Sequence, residues 1–402
     1  MITIKPFKAF LPKANFAHKV STRQVNSYPD EMIKKEKESN PESFFNVIIP
    51  HFEEGTTTTD RFKKINELFK EAVESGLFVQ SKKDCFYIYR QSGARFTYTG
   101  LIAGASTKDY REGRIKKHEH TLEKREKLFT KYLRFTGFNA EPILLVHEVS
   151  NTTDNIIDKT VKNTPIHNFS SRSGNKHEVW EISDVNDIIA IQKSFEEMNH
   201  VYIADGHHRS ASSNLLSLED SELESTNSLM ALFMSEENIH IHDFNRVIIN
   251  TEKISENEIL KRLEENFTIS EKSDEILKPK SKHEFCLYLF SSWYRIKLNH
   301  VFDKTSSTVS QLDSQIITDY ILSPIFEIKD LKNDTRIDFI PGNKGLDSLK
   351  QAVDNGKFDI AIAMFPVGVD EMKKIADEGL VMPPKSTFIE PKLRSGLTVY
   401  KF

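Results

Sequence analysis

Hydrophobic positions in the first part of the chain follow two different periods. From Asp60 to Gly76 apolar residues recur every three or four positions, which predicts an amphipathic helix that ends at the glycine. Residues 30–40 are charged and helix-prone. Residues 85–90 and 96–102 are β-branched and aromatic and flank a short polar stretch, which predicts a hairpin. The chain therefore mixes helices with antiparallel strands.

The middle of the chain contains a polar stretch between more regular patterns. A charge-dense helix is expected over 117–132 and a strand over 142–146. Residues 150–176 are rich in Asn, Thr and Ser and have little apolar periodicity, so a polar, weakly structured insert is expected there. A helix over 185–198 then leads to a short apolar strand, 201–204.

Strands and helices alternate again from residue 228 onwards. Strands are expected at 229–234, 285–290 and 294–298, and helices at 257–266, 311–322, 344–355 and 369–379. We therefore predict an α/β (α+β) fold with two domains, residues 1–225 and 226–402.

Composition excludes several classes of protein. The 402 residues include 55 Lys and Arg against 59 Asp and Glu, a net charge of -4 without a basic stripe, so no nucleic-acid partner is expected. Two cysteines, Cys85 and Cys286, are too few for a disulfide framework and favour a reducing compartment. Lys5 and Pro6 interrupt the first apolar residues, and no later run is long enough for a membrane span. A cytoplasmic protein without a membrane partner is expected.

The most informative motif follows the strand at 201–204. A glycine at a helix start exposes unpaired backbone N–H groups to a phosphate, and an arginine can hold two phosphate oxygens. A carboxylate fits beside a phosphate if a divalent cation bridges the two. The alternative is an aspartate that caps the helix, beside ordinary core or surface histidines. The residues of this motif are Asp205, Gly206, His207, His208, Arg209 and Ser210.

Two further blocks carry polar side chains. The first, 114–121, places Glu119 between His118 and His120. It lacks the HExxH spacing of zinc proteases, so we interpret Glu119 as a general base in a basic pocket or as part of a solvated helix start. The second block, 382–387, brings one cation and two hydroxyls after two prolines, which suits an anion or an amino acid, or else a connecting turn.

Taken in their order along the chain, the three blocks resemble motifs of the SerK-type free-serine kinases, whose catalytic core is similar to the ParB/sulfiredoxin fold. The motifs that carry the resemblance are Asp205–Arg209, the pair His118 and Glu119, and Pro384–Thr387. A longer resemblance, beginning at Ile4, is to the larger relatives long classified as a domain of unknown function, some of which are pyrophosphate-dependent serine kinases. Where many of those relatives carry an Arg-Pro-Tyr-Asp-type turn, this chain reads differently over residues 22–30.

The resemblance implies transfer of a phosphoryl group to the hydroxyl of free L-serine, giving O-phosphoserine, with Mg²⁺. Pyrophosphate is the favoured donor, and ADP or ATP are alternatives. Residues 1–225 would form the phosphoryl-transfer domain, with an N-terminal extension, and 226–402 would close the active site. The implied roles are catalysis by Glu119, Asp205 and His207, metal binding by Asp205, phosphate binding by Gly206, His208, Arg209 and Ser210, and substrate binding by His118, Thr121, Lys385, Ser386 and Thr387.

Two other functions compete with this interpretation. The same loop and metal would serve a phosphohydrolase that acts on phosphoserine or a similar ester, with water as the nucleophile. A ParB-like nucleotide or nucleic-acid binding module is the alternative from another class, and the net charge of -4 counts against it.

Overall fold

The computed structural model of the protein describes residues 1–220, 222–300 and 306–402, with the backbone alone for Asn26. The chain forms two compact units. The first comprises Met1–Ile239 and Pro391–Phe402, and the second comprises His240–Glu390. The boundary predicted near residue 226 therefore lies instead at residue 239, and residues 391–402 belong with the first unit.

The first unit combines helices with a large sheet. Its helices are α1 Ala17–Val20, α2 Asp30–Ser39, α3 Phe45–Ile48, α4 Thr58–Glu74, α5 Thr107–Arg111, α6 Glu123–Thr136, α7 Asn151–Thr160, α8 Val185–Glu196 and α9 His207–Glu219. Its strands before residue 240 are β1 Ile4–Lys5, β2 Phe10–Pro12, β3 Thr22–Arg23, β4 Phe78–Gln80, β5 Phe86–Ser92, β6 Thr97–Ser106, β7 Ile115–Lys116, β8 Phe138–Asn139, β9 Ile143–His147, β10 His167–Ser170, β11 Lys176–Ile182, β12 Val201–Asp205 and β13 Ser228–Ser235.

The main sheet of the first unit is mixed. Its strands lie in the order β10, β11, β5, β6, β13, β9, β12 and β7, and β1 also pairs with β6. The pairs β13 with β9 and β12 with β7 are parallel, and the others are antiparallel. The pairing of β5 with β6 confirms the predicted hairpin. Side chains such as Phe86, Leu101, Phe195 and Phe233 pack into one core beside this sheet.

The position of β13 explains where the chain divides. All eight residues of this strand are buried, and it lies between β6 and β9 inside the sheet. A boundary near residue 226 would remove a central strand from the first unit. The regular alternation of elements that begins at residue 228 therefore does not mark a new domain.

The second unit has its own antiparallel sheet and its own core. Its elements are β14 His240–His242, β15 Phe244–Ile248, α10 Glu256–Glu264, β16 Phe267–Ser273, β17 Glu284–Leu289, β18 Ser292–Leu298, α11 Asp313–Ile317, α12 Ser323–Phe326, β19 Ile337–Pro341, α13 Asp347–Asp354, β20 Ile360–Ala363, α14 Val369–Asp377 and β21 Phe388–Glu390. The sheet order is β16, β18, β17, β20, β15 and β19, while β14 pairs with β21. The core of this unit includes Leu263, Phe285 and Ile362.

The chain then returns to the first unit through two short strands, β22 Arg394–Ser395 and β23 Tyr400–Lys401. The first pairs with β3 and the second with β8. Between them, the backbone N–H of Val399 donates to the carbonyl of Phe10 at 2.9 Å, and the N–H of Phe10 donates back at 2.9 Å. Residues 391–402 thus pair with three separate segments of the first unit, at Phe10, β3 and β8.

The mixed α and β character of the chain is confirmed, but two local predictions are wrong. Residues 150–176 are ordered, with helix α7 and strand β10, because polar Thr153 and Thr160 line the buried face of α7 beside Ile156. The hydroxyl of Ser150 accepts a hydrogen bond from the Thr153 N–H and caps this helix. The helix predicted from residue 117 begins only at Glu123, and residues 117–122 form an irregular connection between β7 and this helix.

Both cysteines, Cys85 and Cys286, are buried and unpaired. Among the helices of the described residues, none combines the length and the apolar character that a bilayer span requires.

Candidate active site

The junction between β12 and α9 is the centre of the site. The register of β12 against β9 shifts between Ile203 and Asp205, so the regular alternation that buries Ile203 is interrupted there. Gly206 follows with φ +101°, and a Cβ atom at this position would lie 2.8 Å from Cγ2 of Ile143. Both the backbone conformation and the packing therefore require glycine at this turn.

Helix α9 begins directly after this turn, and its first backbone N–H groups have no partner within the helix. Its N-cap residue is Gly206, and no side chain caps the helix. The N–H of Ser210 is bonded to the carbonyl of Gly206 at 2.9 Å, whereas the N–H groups of His207, His208 and Arg209 precede the first intrahelical bond. These three donors and the positive end of the helix dipole together favour an anion.

Asp205 is held by positive and neutral donors from three parts of the chain. Its Oδ2 accepts from Arg209 at 2.8 Å and from Gln24 at 3.3 Å, and its Oδ1 accepts from Nζ of Lys392 at 3.4 Å. Burial alone would raise the pKa of Asp205, but the charges of Lys392 and Arg209 and the hydrogen bond from Gln24 outweigh burial and lower the pKa. Asp205 is therefore a half-buried anion that two cations stabilise.

Arg209 and Ser210 hold the junction together. The guanidinium of Arg209 donates to Asp205, forms an ion pair with Glu141 and donates to the carbonyl of Pro142 at 2.6 Å. The hydroxyl of Ser210 is fully buried and donates to the carbonyl of Gly206 at 3.1 Å. In this structure both side chains use their donors within the protein, so Arg209 anchors the start of α9 to the segment that precedes β9.

A second segment reaches the same place because β7 runs parallel to β12. This pairing brings residues 117–119 beside the start of α9. The backbone N–H of His118 donates to Nε2 of His207 at 3.4 Å, and Nδ1 of His207 lies 3.5 Å from Oε2 of Glu119. Because Nε2 accepts, the proton of the neutral imidazole is on Nδ1 and faces the carboxylate. Glu119 and His207 therefore form a pair across the two segments.

Both histidines of this cluster are kept neutral at physiological pH. Burial lowers the pKa of His207 to about 4, although the charge of Asp205 opposes this shift. Burial, helped by His207, lowers the pKa of His118 to about 3. His118 is 1% exposed, and neither of its ring nitrogens has a hydrogen-bond partner. The side chain of Glu119, in contrast, is 51% exposed.

His208 and Thr121 lie at the edge of this cluster. His208 is half-buried, and burial followed by the charge of Arg125 lowers its pKa. The Thr121 hydroxyl donates to the carboxylate of Glu126. Neither side chain contacts Glu119 or His207 through a hydrogen bond that the structure shows.

The predicted substrate-binding residues Lys385, Ser386 and Thr387 belong to the second unit. Nζ of Lys385 lies 5.2 Å from the ring centroid of Phe244, and the residue adopts φ +58°. The hydroxyl of Ser386 donates to the carbonyl of Pro383 at 2.7 Å and lies 2.8 Å from the hydroxyl of Ser314. Within this unit, Ser386 thus fixes the turn that presents Lys385.

The predicted ligation of Mg²⁺ by Asp205 does not fit these contacts. Mg²⁺ prefers oxygen ligands, but each oxygen of Asp205 already faces a cation, Arg209 on one side and Lys392 on the other. Direct coordination would require Lys392 to withdraw. Mg²⁺ remains a prediction for this protein.

Comparison with protein families identifies the chain. A family model described as "Protein of unknown function (DUF1015)" matches residues 4–315. The chain belongs to the DUF1015 family. The match covers the complete β12–α9 junction and the segment that carries Glu119.

A search of solved structures found matches of low identity to this DUF1015 protein. A free serine kinase in complex with AMP is 16% identical, with 70% of this chain and 88% of that chain covered and a TM-score of 0.34. SbnI with a C-terminal truncation, from Staphylococcus aureus, is 9% identical, with 72% and 82% covered and a TM-score of 0.38. A conserved hypothetical protein from Pyrococcus furiosus is 15% identical, with 70% and 90% covered and a TM-score of 0.34. No curated protein matches.

Three residues of the site are absent from the predicted set. Gln24 and Lys392 contact Asp205, and Glu141 pairs with Arg209. Gln24 lies in the segment where the sequence departs from the pattern of the larger relatives. This departure is the one feature of the sequence that draws attention to Gln24. Lys392 is 187 positions from Asp205 in the sequence. The one sequence feature that draws attention to Lys392 is its place in a Pro-Lys dipeptide shortly after the Pro-Pro-Lys-Ser-Thr run.

Proposed function

We propose that this protein is a phosphotransferase that phosphorylates the hydroxyl of free L-serine, with pyrophosphate as the favoured donor and ADP or ATP as alternatives. The reaction forms a P–O bond to the serine Oγ and breaks the P–O bond of the donor, and the serine proton passes to a base. With pyrophosphate, the products are O-phosphoserine and phosphate. The observation that carries the proposal is the pairing of Glu119 with His207 at an uncapped helix start.

Glu119 is the proposed base because its carboxylate is both accessible and oriented. Half of its side chain is exposed, so a small substrate can reach it, while His207 lies 3.5 Å away on the protein side. The Nδ1–H of His207 can hold one carboxylate oxygen and leave the other for the serine hydroxyl. Because His207 stays neutral, it orients the base without neutralising it.

The start of α9 is the proposed site of the transferred phosphoryl group. Phosphoryl transfer depends mainly on positioning and on donors that meet the charge on the phosphate oxygens. The N–H groups of the first turn provide such donors, and Gly206 leaves no side chain in their way. The contacts of Arg209 and Asp205 fix the orientation of this helix.

The resemblance of the motifs to free-serine kinases supports serine as the acceptor. No GxxxxGK[ST] loop is present in the sequence, so a common nucleotide cradle is not part of this chain. A small donor such as pyrophosphate requires only the phosphate-binding elements. This is why we favour pyrophosphate over ADP or ATP.

The test is to incubate the purified chain with L-serine and Mg²⁺ and with pyrophosphate, ADP or ATP in parallel, and to quantify phosphoserine by mass spectrometry. We expect phosphoserine with pyrophosphate. Glu119→Gln should reduce kcat by roughly 10²–10⁴-fold, the contribution of a positioned general base, while serine KM changes little. The matched control is Glu123→Gln, which neutralises an exposed glutamate in the first turn of α6 that pairs with Lys127.

The outcomes separate the proposal from its competitors. Release of phosphate from phosphoserine without net phosphorylation of serine would establish the phosphohydrolase instead. A salt-sensitive shift of DNA with no turnover would support the ParB-like module. A Glu119→Gln enzyme whose kcat stays within about threefold of the wild type would refute the role of Glu119 as base.

A further inference from the structure

His118, Glu119 and His207 form a group of potential metal ligands. Each offers one ligand atom, and these atoms all lie within 4.8 Å of one another. Within the described ranges of the chain, this is the one group of three His, Cys, Asp or Glu residues that meets this distance. It is separate from the carboxylate of Asp205, which two cations occupy.

His118 provides an independent indication that a ligand belongs here. Its imidazole is 1% exposed, and both ring nitrogens lack a hydrogen-bond partner. Its ring meets that of His207 edge to face, with 4.6 Å between the ring centroids. A buried polar group that has lost water and gained no partner destabilises a fold, unless a bound species satisfies it.

We propose that His118, Glu119 and His207 bind one first-row transition-metal ion such as Zn²⁺. Two imidazole nitrogens and one carboxylate oxygen are the ligand set of open zinc sites, in which water or substrate takes the fourth position. Imidazole ligands favour Zn²⁺ and related ions over Mg²⁺, which prefers oxygen. The site would therefore select a different class of ion from the Mg²⁺ expected to accompany phosphate.

The local backbone allows the ligands to close on an ion. Bonds of about 2.0–2.1 Å in tetrahedral geometry place ligand atoms roughly 3.4 Å apart, so ligand atoms that lie farther apart than this must move closer together. Glu119 can supply this movement because its side chain is 51% exposed and lies in the irregular segment between β7 and α6.

Metal binding has a consequence that rests on the proposed function. An ion bound by Glu119 removes the carboxylate that would accept the serine proton. Zn²⁺ should therefore inhibit serine phosphorylation reversibly, and a chelator should restore the activity. The binding of the ion does not depend on this consequence.

The binding test uses Co²⁺ as a spectroscopic probe of the full chain after treatment with a chelator. We expect one equivalent of Co²⁺ with the intense visible absorption of tetrahedral coordination, displaced by Zn²⁺ and unaffected by excess Mg²⁺. Glu119→Gln should weaken Co²⁺ binding by at least about 10-fold, the lower end of the loss seen when even an outer-shell partner of a metal ligand is removed. Because Glu119 is exposed, this variant should fold, and circular dichroism checks that it does.

The matched control is His120→Asn, which removes the exposed histidine on the other side of Glu119 and should leave Co²⁺ affinity unchanged. A chain that shows no tetrahedral Co²⁺ spectrum would overturn the site. So would equal affinities of the wild type and Glu119→Gln. Phosphoserine formation is measured separately and without Co²⁺, so failure of the kinase proposal and failure of the metal site give different results.

Discussion

Replacement of Gly206 by alanine is the sharpest test of how the junction is built. A non-glycine residue in the left-handed region costs about 1–2 kcal/mol. The new Cβ would also lie 2.8 Å from Cγ2 and 3.1 Å from Cβ of Ile143, and overpacking of this kind costs about 1–3 kcal/mol. Together we expect Gly206→Ala to lower the free energy of unfolding of the first unit by about 2–5 kcal/mol.

Gly174→Ala is the matched control for the backbone contribution. Gly174 also has positive φ, +82°, but a Cβ there would meet nothing within 4 Å. Its replacement should therefore cost only about 1–2 kcal/mol. The difference between the two variants isolates the contact with Ile143.

Urea unfolding of both variants measures these costs by linear extrapolation. The chain has two tryptophans, Trp180 in the first unit and Trp293 in the second. In a Trp293→Phe background the fluorescence of Trp180 reports the first unit alone, which matters because the two units need not unfold together. If Gly206→Ala proves no more destabilising than Gly174→Ala, the packing argument for this turn is refuted.

Three further predictions concern the charges around the junction. Arg209→Lys should lower the Tm of the first unit and reduce turnover, because the single ammonium of lysine cannot donate to Asp205 and to the Pro142 carbonyl at once. A variant whose Tm in calorimetry and kcat in kinetics equal those of the wild type would contradict this. Lys392→Met should raise the pKa of Asp205, because the charge of Lys392 is the largest contribution that lowers this pKa. NMR titration of the carboxyl group measures the shift. An unchanged pKa would show that Arg209 alone is enough to keep the pKa of Asp205 low. Burial sets the pKa of His118 at about 3 and of His207 at about 4, against an ordinary value of 6.5, so the unfolded state binds more protons in this range. Stability should therefore fall as the pH drops from about 6.5 towards 4, and thermal melts over this range that show no such loss would argue against buried, neutral histidines.

The features that sequence predicted well are local ones. The run from Asp205 to Arg209 predicted a strand end, a glycine turn and a helix start because all three depend on neighbouring residues. The hairpin of β5 and β6 was equally local. Sequence-based prediction failed where polar residues are buried. The threonines of α7 give little apolar periodicity, but they line the buried face of the helix.

The electrostatic partners of the site could not be predicted in the same way. Asp205 depends on Gln24 and Lys392, which are 181 and 187 positions away, and no spacing rule connects them. The position of Glu119, the proposed base, could not be predicted either. Glu119 was assigned to a helix start, but it lies in an irregular segment, because the pairing of β7 with β12 places it beside His207. Such pairs depend on sheet topology rather than on local propensity.

The return of residues 391–402 to the first unit has a consequence for synthesis on the ribosome. Domains usually fold in the order in which they leave the ribosome. Here the second unit, His240–Glu390, is continuous and can fold as soon as it emerges. The pairings of β22, β23 and Val399 with β3, β8 and Phe10 can form only after the second unit has been synthesised. Lys392, which pairs with Asp205, lies in the same stretch, so this contact of the candidate active site can form only after the whole second unit has been synthesised.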